Sequence, residues 1–178
     1  VGRFASRKSQ RRCLSRNADV TLRVQPATAT KEHVTLFNAY HRDMQQRRGW
    51  PEHSITLAEY EAEFADPEIE FAWETLYYQR EQLVGVGLVD VLAGGLSSVY
   101  FYHDPEWRPL GPGTYSILTE LAWAKELQVP FLYLGYWIER CPSMAYKNRF
   151  HPHELIVSGV EPGEMADWKR ANPDIQAP

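Results

Sequence analysis

The stretch Arg108-Pro-Leu-Gly-Pro-Gly-Thr-Tyr-Ser-Ile-Leu has the pattern Arg-x-x-Gly-x-Gly and lies between a predicted strand and a predicted helix. Gly111 and Gly113 let the backbone approach a ligand closely, because they carry no side chain. The helix that they open offers unpaired N–H groups and a partial positive charge to an anion. The pattern predicts a phosphate-binding turn, and a plain Gly-Pro turn without a ligand is the alternative interpretation.

The segments around this turn alternate between strand and helix patterns. Apolar residues recur every three or four positions from Val34 to Met44, and the capping box Thr56-x-x-Glu59 opens a second helix. We predict strands at 20–24, 71–79, 83–92, 97–103, 131–138 and 155–160, and helices at 34–44, 56–65, 114–127 and 142–150. This order predicts an α/β (α+β) domain with a mixed, mostly antiparallel sheet flanked by helices, and it resembles the GCN5-related N-acetyltransferase fold.

The composition predicts a single domain without a structural metal. The chain has 178 residues, of which 44% are apolar and 13% aromatic, and this is enough to form a core. No run approaches the roughly 20 apolar residues that cross a bilayer. Cys13 and Cys141 fit neither a zinc spacing nor a disulfide framework. We therefore expect a cytoplasmic protein with no membrane partner and no metal.

Charge is distributed unevenly along the chain. The net charge is −4, but residues 1–16 carry six basic side chains and no acidic one: Arg3, Arg7, Lys8, Arg11, Arg12 and Arg16. The remaining residues carry 13 basic and 23 acidic side chains, a net charge of −10. A basic arm on an acidic body is typical of nucleic-acid contact, and it is also typical of a solvated chain end.

Several strings are more specific than the glycine turn. They are Asp90-Val, Gly95-Leu-Ser-Ser-Val-Tyr, Phe101-Tyr-His-Asp-Pro, Tyr133-Leu-Gly-Tyr-Trp-Ile and Cys141-Pro-Ser-Met-Ala-Tyr-Lys, with Ser9-Gln-Arg-Arg near the start. Together they resemble the C-terminal domain of the aminoacyl-tRNA–protein transferases, and the resemblance extends to about Glu154. The form of the Tyr133 string resembles the bacterial branch of this family more than the longer eukaryotic branch.

This resemblance implies an enzyme that moves an amino acid from its tRNA to the N-terminal amine of a protein beginning with Asp or Glu, which marks that protein for the N-end rule degradation pathway. The co-substrate is then aminoacyl-tRNA, and no cofactor is implied. The bacterial branch implies leucine as the donated residue, and arginine is the alternative. Two further alternatives stay open: an acetyl-CoA-dependent N-acetyltransferase, which the glycine turn favours, and a non-catalytic module that binds acidic N-termini.

The resemblance also implies a division of the chain. Residues 1–17 are expected to be a basic arm, the end of an N-terminal region with a cysteine cluster that the family has and this chain lacks. Residues 18–160 are expected to form the transferase domain, and 161–178 a loosely packed tail. Two departures from the family pattern are Pro112, which removes an amide from the turn, and His151, which stands where arginine is usual.

Three groups of site residues follow. Amine attack on an ester needs positioning and donors for the developing oxyanion more than a protein nucleophile. We predict a catalytic group of Asp90, Tyr100, Tyr102 and Tyr136. An acidic acceptor needs a cationic pocket, and we predict an acceptor-binding group of Lys147, Arg149 and Tyr146. The tRNA donor needs cations and the glycine turn, for which we predict Arg108, Gly111, Gly113, Arg11, Arg12 and Arg16.

Overall fold

The computed structural model describes residues 1–138, 140–141, 144–156 and 166–170. The chain divides into two compact units. The first consists of Val1 and Arg7–Gly135, and the second of Gly2–Ser6 and Tyr136–Pro178. The border after Gly135 lies inside the predicted domain 18–160, whose ends at residues 17 and 160 stay predictions.

The first unit is built on a five-stranded sheet. Its strands are β1 (Thr21–Pro26), β2 (Ala72–Gln79), β3 (Gln82–Leu92), β4 (Gly95–His103) and β5 (Phe131–Tyr133), in the spatial order β1-β2-β3-β4-β5. Pairing is antiparallel from β1 to β4 and parallel between β4 and β5. The sheet is therefore mixed and mostly antiparallel, and the predicted fold class is confirmed.

Four helices accompany this sheet. They are α1 (Lys8–Arg16), α2 (Lys31–Arg48), α3 (Leu57–Phe64) and α4 (Pro112–Glu126), with a 3-10 turn at Pro105–Leu110 before α4. Local signals set their ends. The Thr56 hydroxyl accepts from the Glu59 amide while the Glu59 carboxylate accepts from the Thr56 amide, so the predicted capping box is present. Gly49 ends α2 in the left-handed conformation, with φ of 68°.

The sheet has a core on each face. On one face α2 and α3 cover an aromatic cluster centred on Phe37, which is 1% exposed and whose ring lies 5.3 Å from that of Tyr102. On the other face Trp123 and Ala124 of α4 pack with Val89 and Leu96. Removing a buried aromatic side chain of this kind costs about 3–5 kcal/mol, so Phe37 is a principal source of cohesion between α2 and the sheet.

The second unit contains a small antiparallel sheet. Its strands are β6 (Glu154–Ile156) and β7 (Trp168–Arg170), and a 3-10 turn covers Ala145–Arg149. Phe4 stacks on Phe150 with 6.0 Å between the ring centroids. Arg3 lies 3.8 Å from the Glu154 carboxylate. The segment 2–6 is thus part of this unit, whereas α1 belongs to the first.

Two local predictions differ from the structure. The strand predicted at 131–138 ends at Tyr133, because Gly135 has φ of 69° and turns the chain away from the extended path. The helix predicted at 142–150 is a 3-10 turn over Ala145–Arg149, and residues 142–143 lie outside the described residues. Of the predicted tail 161–178 the structure describes residues 166–170, which include β7, and its loose packing stays a prediction. Helix α1 lies in the arm, for which no helix was predicted.

Candidate functional site

The glycine turn stands at the start of α4 as predicted. Gly111 has φ of 76° and caps the helix without a side chain, and Pro112 occupies the first helical position. The amides of Thr114 and Tyr115 both donate to the Gly111 carbonyl, each over 3.1 Å. Pro112 has no N–H, so the first turn has at most the Gly113 amide to offer to an anion. The turn therefore has fewer free amides for an anion than the Arg-x-x-Gly-x-Gly pattern predicts.

Helix α1 is docked onto this turn by neutral groups. The Cys13 thiol lies 3.5 Å from the carbonyl oxygens of Leu110 and Gly111. The Asn17 amide nitrogen donates to the Leu110 carbonyl over 3.0 Å, and its amide oxygen accepts from the Trp107 indole over 2.7 Å. Both Asn17 and Trp107 are buried. Burial also raises the pKa of the Cys13 thiol, so this contact carries no charge at neutral pH.

The docking brings one predicted cation to the turn. A guanidinium nitrogen of Arg16 lies 3.8 Å from the position that a Cβ on Gly111 would occupy. Arg11 and Arg12 are exposed on the same helix. The structure thus gathers Arg16, Gly111 and Gly113 at one place, with further positive charge along α1.

Arg108 lies differently from the expectation. Its guanidinium forms a two-pronged ion pair with the carboxylate of Asp43 on α2. Arg47 is a more distant neighbour of the same carboxylate, at 4.0 Å. The side chain of Arg108 therefore ties the 3-10 turn to α2, and these contacts give no support to its predicted role in binding the tRNA donor.

Strand β4 has an irregular edge that the sequence pattern did not reveal. Its pairing with β3 skips Val99, because Leu88 faces Tyr100 while Val89 faces Ser98. Val99 is thus a bulge residue, and it is 54% exposed. On the other side β5 pairs only with Gly95–Ser97. Within the part of the chain that the structure describes, residues 98–103 have no partner strand on that side.

The two tyrosines of β4 face α2 and α3 together, as the alternation predicts. Tyr102 is 0% exposed and its hydroxyl lies 2.6 Å from that of Tyr60. A fully buried hydroxyl cannot touch a substrate, so its position gives no support to a catalytic role for Tyr102. Tyr100 is only partly buried, and its hydroxyl lies 2.9 Å from Nε2 of His41. Burial raises the pKa of both phenols, so both keep their protons.

His41, which the sequence analysis did not select, lies beside the predicted site residue Tyr100. It lies on the apolar face of α2, next to Phe37 at a spacing of four residues, and it is 7% exposed. In the sequence, the signal that could have drawn attention to His41 was a polar ring on the apolar face of a helix. Asp90, in contrast, lies on β3 opposite Ser97 and is partly buried, which raises its pKa. It therefore lies on the strand next to β4, at the end where β4 also pairs with β5.

The predicted acceptor residues lie in the second unit. The ammonium group of Lys147 donates to the backbone carbonyl of Tyr136 over 3.2 Å. Tyr136 is 87% exposed, Arg149 is exposed, and Tyr146 is partly buried. This unit therefore brings Lys147 and Tyr136 together and presents the Tyr136 ring to solvent.

A comparison with protein families decides the relationship. Residues 32–157 match the model of a family described as arginine-tRNA-protein transferase, C terminus. The chain belongs to this family. The resemblance stated from the Tyr133 and Cys141 strings is therefore confirmed.

Curated relatives in this family carry a more specific name. The aspartate/glutamate leucyltransferase of Helicobacter hepaticus is 34% identical to this chain, and the match covers 95% of this chain and 70% of that protein. The protein of the same name from Stenotrophomonas maltophilia is 40% identical, and the match covers 86% of this chain and 62% of that protein. The protein of that name from Campylobacter jejuni is 30% identical over 90% of this chain and 67% of its own length. The chain thus spans about two thirds of the relatives that it matches.

Solved structures give the fold alone. A possible acetyltransferase from Clostridium difficile superposes with a TM-score of 0.57 at 12% identity, over 81% of this chain and 98% of that chain. The ribosomal-protein-S18-alanine N-acetyltransferase from Escherichia coli gives 0.54 at 12% identity, over 76% and 79%. The predicted acetyltransferase-like fold of this transferase family member is confirmed.

The part of the chain that the structure describes offers neither a membrane-spanning helix nor a clustered metal site. Among the described residues, no helix combines the length and the apolar character needed to cross a membrane. The same residues contain no group of three or more His, Cys, Asp or Glu side chains placed to hold a metal ion.

Proposed function

We propose that this chain transfers leucine from leucyl-tRNA to the N-terminal amine of proteins that begin with Asp or Glu. The observation that carries the proposal is the likeness to proteins named aspartate/glutamate leucyltransferase over 86–95% of the chain. Aminoacyl-tRNA and acidic N-termini are then its two partners, and no cofactor enters the reaction. The cytoplasmic location stays a prediction.

The surface made by α1 and the glycine turn suits the tRNA of the donor. Arg16 lies at Gly111, and Arg11 and Arg12 extend the positive charge along α1. Phosphate groups bind to such cations, and their contribution weakens as salt rises. Cys13 and Asn17 hold α1 at the turn, so its exposed cations keep a fixed place beside the turn.

The ester fits the unpaired edge of β4. Backbone polar groups of residues 98–103 have no partner strand on that side among the described residues. Amides on such an edge can donate to the carbonyl oxygen of an ester as it becomes negatively charged. The Val99 bulge interrupts the regular pairing at this place, as bulges next to active sites do. Tyr100, the next residue, then supplies a hydroxyl close to the reacting ester.

The acidic acceptor fits the cations of the second unit. Lys147 and Arg149 offer positive charge to an Asp or Glu side chain, and Tyr136 offers an exposed ring beside Lys147. The amine must be neutral to attack. An α-amino group with a pKa of about 8 is partly neutral at pH 7, so the protein needs no strong base to generate the nucleophile.

The test is transfer of labelled leucine and, separately, of labelled arginine from charged tRNA onto peptides beginning with Asp, Glu or Ala. Leucine on the Asp and Glu peptides alone supports the proposal. Arginine transfer would favour a second candidate, an arginyltransferase. This candidate is supported by the family description, which is arginine-tRNA-protein transferase, C terminus. Binding of acidic peptides without transfer, or turnover of acetyl-CoA, would contradict both.

A further inference from the structure

His41 lies directly behind the hydroxyl of Tyr100. Its Nε2 is 2.9 Å from that hydroxyl, and the ring is 7% exposed. Its second nitrogen, Nδ1, is buried and has no hydrogen-bond partner among the described residues. Unpaired buried polar atoms are rare in folded proteins, and a catalytic role is one of the recognised reasons for keeping one.

Aromatic side chains hold the His41 ring in place. Phe37 stacks on it with 4.2 Å between centroids, and His53 meets it edge-on at 4.6 Å. Trp50 lies edge-on at 5.8 Å. Burial, reinforced by the neighbouring His53, lowers the pKa of His41, so the ring is neutral near pH 7 and one nitrogen carries a lone pair.

The Tyr100 hydroxyl and Nε2 of His41 share one hydrogen bond, and the tautomer of the ring sets its direction. In the part of the chain that the structure describes, the Tyr100 hydroxyl has His41 as its hydrogen-bond partner. Burial keeps this phenol protonated, and a phenol is a better donor than acceptor. With the ring proton on Nδ1, the neutral Nε2 of His41 accepts from the Tyr100 hydroxyl. The oxygen of Tyr100 keeps a lone pair for a second partner.

We propose that His41 is the positioning residue of Tyr100 and accepts its proton transiently during leucine transfer. This inference rests on the proposed function. As the acceptor nitrogen bonds to the ester carbon, a proton passes from nitrogen to the Tyr100 oxygen while the phenolic proton moves to Nε2 of His41. As the bond from carbon to the ribose oxygen breaks, the proton returns along the same path to that oxygen. The protein ends in its starting state.

Other titratable groups surround the pair. Those that influence its charges directly are His53 from the connection between α2 and α3, Tyr40 from α2 and Glu63 from α3. Beyond Tyr40 lie the ion pair of Arg108 with Asp43 and the ring of His103. Any pH experiment must therefore separate His41 from His53, the imidazole whose ring lies 4.6 Å away.

The pH dependence of kcat/KM between about pH 5 and 7 tests the inference. Transfer by the unmodified chain requires a neutral amine and a neutral His41, so log kcat/KM rises with a slope of about 2 below the pKa of His41 and about 1 above it. His41→Gln keeps an acceptor for the Tyr100 hydroxyl but does not titrate. We expect it to lower kcat by about 10²-fold or more and to reduce the slope to about 1 throughout.

His53→Gln is the matched control. It removes a neighbouring imidazole whose charge lowers the pKa of His41. We expect the slope of about 2 to persist, with its break shifted to higher pH. A slope of about 2 in the His41→Gln variant would overturn the inference while leaving the proposed function intact. Absence of leucine transfer by the unmodified chain at every pH would overturn the proposed function, and with it the proton transfer from Tyr100 to His41.

A spectroscopic measurement tests the same arrangement without turnover. Nitrogen-15 NMR of histidine side chains distinguishes the two neutral tautomers. We expect His41 to carry its proton on Nδ1 at pH 7 and the assignment to be confirmed by loss of its signals in His41→Gln. A proton on Nε2 would overturn the inference, because this nitrogen could then not accept the proton of the Tyr100 hydroxyl.

Discussion

Neutralising the arginines of α1 gives the sharpest test of how the chain meets tRNA. The perturbation is the triple variant Arg11→Gln, Arg12→Gln and Arg16→Gln. All three side chains are exposed, while the helix is docked through Cys13 and Asn17. The variant should therefore fold and keep α1 in place, and a change in tRNA affinity will report lost phosphate contacts.

The magnitude follows from counterion release. Each phosphate contact contributes about 0.7 to 0.9 to the slope of log affinity against log salt. Three lost contacts make the slope shallower by about 2 to 3 and weaken binding at 0.1 M salt by about 100- to 500-fold. Equilibrium binding of charged tRNA at four or five salt concentrations measures both quantities.

The matched control neutralises three other exposed arginines, Arg42, Arg48 and Arg80. It has the same net charge as the test variant, so it corrects for the general effect of a more acidic protein. We expect its slope to differ from that of the unmodified chain by less than about 1. Equal slopes for the test and control variants would refute the assignment of α1 as the tRNA contact.

Three further outcomes are expected. Tyr102→Phe should cost about 1–3 kcal/mol of unfolding free energy in urea melts, because the buried Tyr60 hydroxyl loses this hydrogen bond, yet leave leucine transfer unchanged; a loss of transfer in a folded variant would support the predicted catalytic role of Tyr102. Lys147→Met should raise KM for a peptide beginning with Asp at least about tenfold without changing tRNA affinity, and equal KM values would exclude this cation. Hydrogen bonds from Thr56 lower the pKa of Glu59, so the carboxylate contributes stability that is present at pH 7 and lost as pH falls through that lowered pKa. Thermal melts of Glu59→Gln should accordingly differ from those of the unmodified chain at pH 7 and converge in acid, and a difference that persists in acid contradicts this linkage.

The fold was predictable because its signals are local. The capping box at Thr56 and Glu59, the period-2 runs of β2 to β4 and the glycine turn before α4 each specify an element within a few residues. The prediction failed where the backbone conformation overrides the apolar pattern. Residues 134–138 look like a continuation of β5, yet Gly135 takes a left-handed conformation and ends the strand at Tyr133.

The candidate site was less predictable, because it depends on partners far apart in sequence. Arg108 has a place in the anion-binding pattern, but Asp43, 65 residues away, holds its guanidinium. His41 has no motif of its own and becomes informative only when β4 places Tyr100 beside it. The bulge at Val99 leaves the sequence alternation almost unchanged and is visible only in the register of β3 and β4.

The docking of α1 separates two properties that proteins often combine in the same residues. Its inner side chains, Cys13 and Asn17, are neutral and secure the helix to the turn before α4, whereas the side chains of Arg11, Arg12 and Arg16 are exposed to solvent. Salt screens the outer charges and leaves the inner contacts nearly unaffected. Substitutions of the exposed arginines can therefore adjust affinity for an anionic partner step by step, at little cost to folding. In this helix, evolution or a protein engineer can tune binding independently of stability.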